Sequence, residues 1–384
     1  MDATLLRLVA AQICLHGCLT GLRMAAPLWA LREYDSAGLA GVMVALFAVS
    51  QVFLALPAGR FVDRHGLTRP IGLSVLLAFS GAAGAAIMPS IPTLVLGALL
   101  TGGASGLTII ALQRHIGRTA RDPAERRQLF SWLAIGPSLS NVLGPLLAGV
   151  VIDQAGFQAA FAVLALLPLL TWLAARALPR VPGDYHGPAT TRGRPWTLFQ
   201  RPDFSRLLLV NWVLSTCWDV HTFMVPVIGH ERGFSASAIG AILGAFAFAT
   251  VVVRVVMPWL ANHLRERQVL ITALIVTALS FSFYPLLANP FAMGAASMVL
   301  GLALGSVQPM IMSALHQMVP PQRVGEAIAL RLMVINASSV VMPLIFGAAG
   351  AALGATVVFW LVGTAATGGA WVARRVAEMP DAVE

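Results

Sequence analysis

Lysine is missing altogether: all 25 basic positions among the 384 residues are arginine. Arginine alone reads as codon usage, with no functional meaning. Charge of either sign is scarce, at 11% of residues against 58% hydrophobic, and mean hydropathy is +0.81. That balance excludes an ordinary soluble domain and marks a membrane composition. Cysteine numbers three, and Cys14, Cys18 and Cys217 all fall inside apolar segments. Cys14 and Cys18 stand four apart on one helix, a poor setting for a disulfide or a metal, so they read as small buried hydrophobes. Also missing are a phosphate-binding Walker loop, a dinucleotide-binding glycine pattern and zinc-ligand spacing. The glycines of Gly102-Gly103-Ala104-Ser105-Gly106 lie inside an apolar run and read as helix packing. No cofactor and no metal are expected, nothing supports an ATP-driven mechanism, and the lack of a nucleophile–base set argues against an enzyme.

What is present is a series of long apolar runs. They fall at roughly 5–30, 38–58, 70–88, 92–113, 129–151 and 157–176, then at 206–228, 237–259, 269–287, 291–314, 324–347 and 354–373. Each has about the 17–25 residues that a bilayer crossing needs. The expectation is an all-α membrane protein of twelve transmembrane helices, six (residues 1–178) plus six (residues 206–384), joined by a linker over 179–205. The linker carries Pro179, Pro182, Gly183, Pro188, Gly193, Pro195 and Pro202 among several arginines, a flexible composition. The first run is too long for a cleavable signal and carries His16 and Arg23, so it reads as a retained helix.

Arginine placement sets the expected orientation. If the first residues are cytoplasmic, the inner connections hold Arg60, Arg64, Arg69, Arg114, Arg118, Arg121, Arg126, Arg127, the linker arginines, Arg265, Arg267, Arg323, Arg374 and Arg375, against Arg32 and Arg232 outside. Positive residues collect on the cytoplasmic side, so both termini are expected there. The same bias accounts for the net charge of +9, and no nucleic-acid partner is expected. A faint repeat links the halves. Arg7, Cys18, Pro27 and Gly41 recur 199 residues later as Arg206, Cys217, Pro226 and Gly240, and Pro145 and Gly149 recur 198 later as Pro343 and Gly347. A nearly fixed offset suits two parallel six-helix repeats.

The connection at residues 59–70 packs three arginines, one aspartate and two glycines between two apolar runs. Glycines there permit a tight turn, and Asp63 can pair with an arginine or cap a helix. Its spacing, Gly59-x-x-x-Asp63-Arg64-x-Gly66, resembles the loop between helices 2 and 3 of the major facilitator superfamily. Leu67 and Thr68 depart from that family's basic pair, and the equivalent loop of the second half has decayed, with Pro258 for Gly59 and Asn262 for Asp63. On the fifth helix, Gly136-Pro137 and Gly144-Pro145-x-x-Ala148-Gly149 resemble a signature of the family's drug and solute antiporters and tilt the reading toward export, with generic packing by small residues as the alternative. The arginine and glutamine that proton antiporters carry on helix 4 are here Ala98 and Thr101.

Each polar residue at mid-membrane depth needs a reason, because a charge there costs about 2.5–3.5 kcal/mol on insertion scales. Asp219 is the acid nearest a helix midpoint; Asn211, Ser215 and Thr222, at −8, −4 and +3, share its face. His16, Thr20 and Arg23 share a face of helix 1. Either set could serve a cavity, or a structural ion pair. Gln308, Asn141 and Asn336 could bind solute or bridge helices, while Arg254 and Arg331 lie nearer the cytoplasmic ends and can snorkel or gate.

The resemblance implies alternating access about a central site walled by helices 1, 4, 7 and 10, with Gly59, Asp63, Arg64 and Gly66 as a conformational switch. The expected function is secondary transport of a small solute, as proton-coupled efflux. His16, Arg23, Asn211, Asp219 and Gln308 are candidates for solute or proton coupling. Uptake of a small organic anion held by Arg23 is the alternative, and a non-transporting membrane sensor or assembly partner is a third. The expected setting is the inner membrane of a bacterial-type cell, with lipid, protons and solute as partners and a monomeric chain.

Overall fold

The computed structural model describes residues 3–119, 123–176, 195–260, 265–319 and 324–376. Much of the linker, 177–194, and the basic residue Arg121 lie outside the described residues. The first half comprises α1 (Ala3–Tyr34), α2 (Ala37–His65), α3 (Thr68–Ile87) and α4 (Ile91–Thr119), then a continuous stretch, Pro123–Ala175, that breaks at Gly156. We number its arms α5 (123–155) and α6 (157–175). A 3₁₀ turn, Pro195–Gln200, leads into the second half. That half is α7 (Pro202–Glu231), α8 (Ala236–Leu260), α9 (Glu266–Phe283), α10 (Pro290–Met318), α11 (Val324–Leu353) and α12 (Ala355–Ala373). The chain therefore re-enters helix at Pro202, inside the stretch expected as linker.

Ten stretches among the described residues are long and apolar enough to cross a bilayer. One of them, Ile135–Ala175, holds both α5 and α6, and α7 is kept out by its polar side chains, so ten plus one plus one gives twelve. Helices suit this setting because they satisfy their own backbone where water is absent. Their ends are closed by local chemistry. The Ser36 hydroxyl accepts from the Leu39 N–H at 3.2 Å, and the Asn289 side chain from the Phe291 N–H at 2.8 Å. The two arginines expected outside are both engaged: Arg32 lies 5.5 Å from the centre of the Phe157 ring, and Arg232 donates to the carbonyls of Pro285 and Leu287.

The halves meet along two crossings, α2 on α11 and α5 on α8. Both crossings are built from the residues of the sequence repeat. A side chain on Gly41 would collide with the Pro343 carbonyl, and one on its repeat mate Gly240 would collide with the Pro145 carbonyl. Gly347 sits against Ala37, and its mate Gly149 against Ala236. Glycine at these positions lets backbone lie on backbone. The repeat runs further than the six pairs legible in the sequence. Gly102 and Gly301, again 199 apart, press on the carbonyls of Phe47 and Phe246 inside the two halves. Gly156 and Gly354, 198 apart, both take φ 83° where α5 turns into α6 and α11 into α12.

The crossings give a direct test. Valine at Gly240 should force α5 and α8 apart, lowering the stability of the compact form by about 1–3 kcal/mol and abolishing function. Alanine at Gly244, whose added methyl would find its nearest neighbour at an ordinary 3.6 Å, should leave both unchanged. Thermal unfolding of the two purified variants checks this; equal melting temperatures would mean that the crossing does not demand glycine.

Candidate functional site

Asp219 lies twelve residues before the end of α7 and Arg23 eleven before the end of α1, about 16–18 Å into the bundle at 1.5 Å per residue. That is roughly half the thickness of a hydrocarbon core. The two helices hold repeat-equivalent places, and they bring Arg23 Nη2 to 3.8 Å from Asp219 Oδ1. The carboxylate also accepts from the Ser339 hydroxyl of α11 at 3.5 Å. Both contacts are long. The partners also differ in exposure: the Arg23 side chain is 36% exposed and that of Asp219 only 7%.

Arg23 opens into a cavity of about 190 Å³ between the halves. His16, Thr20 and Arg23 line it from α1, Asn141 and Pro145 from α5, Trp218 and Thr222 from α7, and Leu243, Phe246 and Ala247 from α8. Val44 adds α2. Of the expected helices 1, 4, 7 and 10, the first and the seventh line the cavity, while α2, α5 and α8 stand where the fourth and tenth were expected; the glycine crossing of α5 on α8 carries those two helices into the wall. The fifth-helix residues serve this geometry. Gly144 packs against Thr20 and Gly17 of α1. The Thr20 hydroxyl donates to the Ser140 carbonyl at 2.8 Å, and the Ser140 hydroxyl donates to the Ile13 carbonyl at 2.9 Å. Gly136 faces the side chain of Gln12, and Pro137 lies within the same helix.

Other predicted residues fall elsewhere. Asn211 is buried away from the cavity, its Oδ1 accepting from Arg331 Nε at 3.1 Å. Arg331 is only 6% exposed, so it does not snorkel as expected; α7 and α10 enclose it. Gln308 is exposed and accepts from Arg254 at 3.3 Å, and Arg254 also donates to Ser138 of α5 at 3.4 Å. Asn336 is exposed. His221 faces away from the cavity, bonded to Ser297 at 2.9 Å and stacked on Phe246. In the loop, Gly66 ends α2 at φ 70° with its N–H on the Val62 carbonyl at 2.9 Å, and Arg114 of α4 donates to that same carbonyl at 3.1 Å. Gly59 meets open space, Arg64 is exposed, and the side chain of Asp63 lies outside the described residues.

One link between the halves escaped the sequence reading. Asp153, near the end of α5, caps the first turn of α8: its carboxylate accepts from the Ala236 N–H at 2.8 Å and the Ser237 N–H at 2.7 Å. His230 and Asp35 approach to 3.5 Å at the same end. An acid at the end of an apolar run is visible in a sequence; its partner in the other half is not. Nearer the arginine-rich end, Arg254 of α8 donates to Ser138 of α5 across the halves.

A family model described as Major Facilitator Superfamily matches residues 8–226 and 207–382. Among solved structures, a bacterial homologue of the human lysosomal transporter Spinster, inward-facing and occupied, superposes with TM-score 0.78 at 14% identity, covering 97% of this chain and 96% of that one. A peptide transporter of the POT family, in complex with sulfate, gives TM-score 0.78 at 15% identity, covering 98% and 94%.

The cap on α8 should hold the arginine-poor end shut. Alanine at Asp153 removes both bonds at a cost of about 1 kcal/mol, modest because the carboxylate is exposed. A cysteine reporter at Leu243, buried in the cavity wall, should then react several-fold faster with a thiol reagent added from the arginine-poor side. Unchanged labelling would show that the cap does not bias the closure.

Proposed function

We propose that this chain, which belongs to the major facilitator superfamily, couples solute movement to protons through the Arg23–Asp219 pair. As a family member it is a multi-pass membrane transporter rather than an enzyme. The observation that carries the proposal is an acid and an arginine, contributed by repeat-equivalent helices of opposite halves, meeting beside a mid-depth cavity. A proton on Asp219 removes the charge that holds Arg23, and so loosens one link between the halves. The alternating-access cycle then follows from the two states of that link. With the arginine-rich end and both termini at the cytoplasm, a form held shut by the Asp153 cap and open at the other end would be inward-facing. Gly59, Asp63, Arg64 and Gly66 would bias the opposite form.

The fifth-helix pattern supports export, in the inner membrane of a bacterial-type cell, by a chain acting as a monomer. Uptake of an anion is the second reading, favoured by the exposure of Arg23, rather than Asp219, to the cavity. A cavity of about 190 Å³ lies below the roughly 300–1,000 Å³ of drug-sized sites, which favours a small solute.

Asparagine at Asp219 keeps the shape and removes the titration. It should retain solute exchange between equal compartments while losing accumulation driven by a pH gradient, measured in proteoliposomes. Uphill transport by Asp219→Asn would contradict the coupling role. A purely structural pair would instead lose folding, and exchanging the two residues would restore it.

A further inference from the structure

We propose that the solute is a small organic anion, a monocarboxylate with an apolar body, held by Arg23 and moving in the same direction as the proton. The proposal rests on the coupling role of the pair given above, takes up the second reading there, the anion, in place of export, and assigns its substrate class. The cavity sees the two charges of the pair unequally. Arg23 is 36% exposed and lines it, whereas Asp219 is 7% exposed and stands behind the lining. A guanidinium carries five N–H donors in a fork that matches a carboxylate. Among the described residues, the one charged partner of Arg23 is Asp219, at a loose 3.8 Å. Donors facing the cavity, whose lining mixes Thr20, Asn141 and Thr222 with apolar side chains, are thus left to a ligand.

The surroundings reinforce the sign. The other titratable group in the described lining is His16, seven residues back along α1; α5, α7, α8 and α11 offer Asn141, Thr222, Phe246 and Ser339 at this depth, all neutral. Seven residues beyond Ala247 on the same face of α8, about 10 Å toward the arginine-rich end, stands Arg254. Its described hydrogen-bond partners, Ser138 and Gln308, are neutral too. An anion travelling that way passes from Arg23, beside Asp219, to a second positive group at Arg254. Trp218 and Phe246, in edge-to-face contact at 4.6 Å, give an apolar body a wall beside Arg23.

The chemistry fixes the sign of coupling. A cation would compete with the proton for Asp219, which gives exchange. An anion competes with Asp219 for Arg23, and a proton on Asp219 withdraws that competitor. Proton and anion therefore strengthen each other's binding and cross together, in the direction set by their combined gradients.

The test uses the full-length protein in liposomes containing a pH-sensitive dye, with no membrane potential. Solutes are added outside at equal concentration: benzoate and a short aliphatic carboxylate, the matching primary amines, the matching amides, and inorganic phosphate. Protein-free liposomes give the passive baseline. The expected result is protein-dependent acidification of the lumen with the carboxylates, and none with amines, amides or phosphate. Arg23→Gln should raise the carboxylate KM about tenfold or more, the loss of a charge-assisted bond. Trp218→Ala should weaken benzoate more than the aliphatic acid, a readout that does not depend on Arg23 variants folding. Luminal alkalinisation by the amines, with the carboxylates inert, overturns the substrate class but leaves proton coupling standing. Labelled carboxylate uptake without proton movement leaves the substrate class standing and removes the coupling. Transport of phosphate in place of carboxylates, or no transport of any carboxylate, overturns the proposal.

Discussion

Backbone lies directly on backbone where the two halves of this transporter meet, and the rest of the structure depends on that closeness. Gly41 on Pro343, Gly240 on Pro145, Gly347 on Ala37 and Gly149 on Ala236 bring the helices of each crossing to backbone distance at two points. A crossing of this kind can tilt without unthreading knobs from holes, so two rigid six-helix bodies can rock about it. The crossings come in pairs because the chain repeats itself at an offset of 198–199 residues, which makes the hinge nearly symmetric. What breaks the symmetry is chemical. Both helices carry a serine cap of their own, Ser36 on α2 and its repeat mate Ser235 on α8, and α8 takes Asp153 from the other half in addition.

Within that frame the Arg23–Asp219 ion pair at mid-depth stands out energetically. Each charge costs about 2.5–3.5 kcal/mol to place at the centre of a membrane helix, and a loosely made buried pair recovers little of that. A pair at 3.8 Å is poorly optimised as glue and well placed as a switch, since protonating one member dissolves it. The contrast with Arg331 is instructive. That arginine is buried deeper, bonded to Asn211 within one half, and so it cannot report on the relation between halves.

The twelve helices, their pairing into repeats and the Arg23–Asp219 candidates were legible in the sequence, because apolar run length, repeat offset and stray mid-helix charge are all one-dimensional signals. The break at Gly156 was legible too, as a gap between two runs, although the backbone stays nearly continuous there. The cavity walls were not. Helices α5 and α8 enter them through the crossing at Pro145 and Gly240, a contact between residues 95 apart that no local pattern encodes. Gln308 and Asn211 resembled site residues on polarity alone; each is engaged by an arginine, Arg254 and Arg331, whose direction a helical wheel leaves open.

The central claim is that the protonation state of Asp219 sets the balance between the two arrangements of the halves. Spin labels at Met88 and Leu353 would report it most directly. These exposed positions lie at the arginine-poor ends of α3 and α11, in opposite halves, and the three native cysteines would first be replaced. Inter-label distance distributions, measured by double electron–electron resonance across a pH series, should show two populations in the parent protein whose ratio changes with pH. In Asp219→Asn the ratio should be fixed. The same pH-dependent redistribution in both proteins would contradict the account.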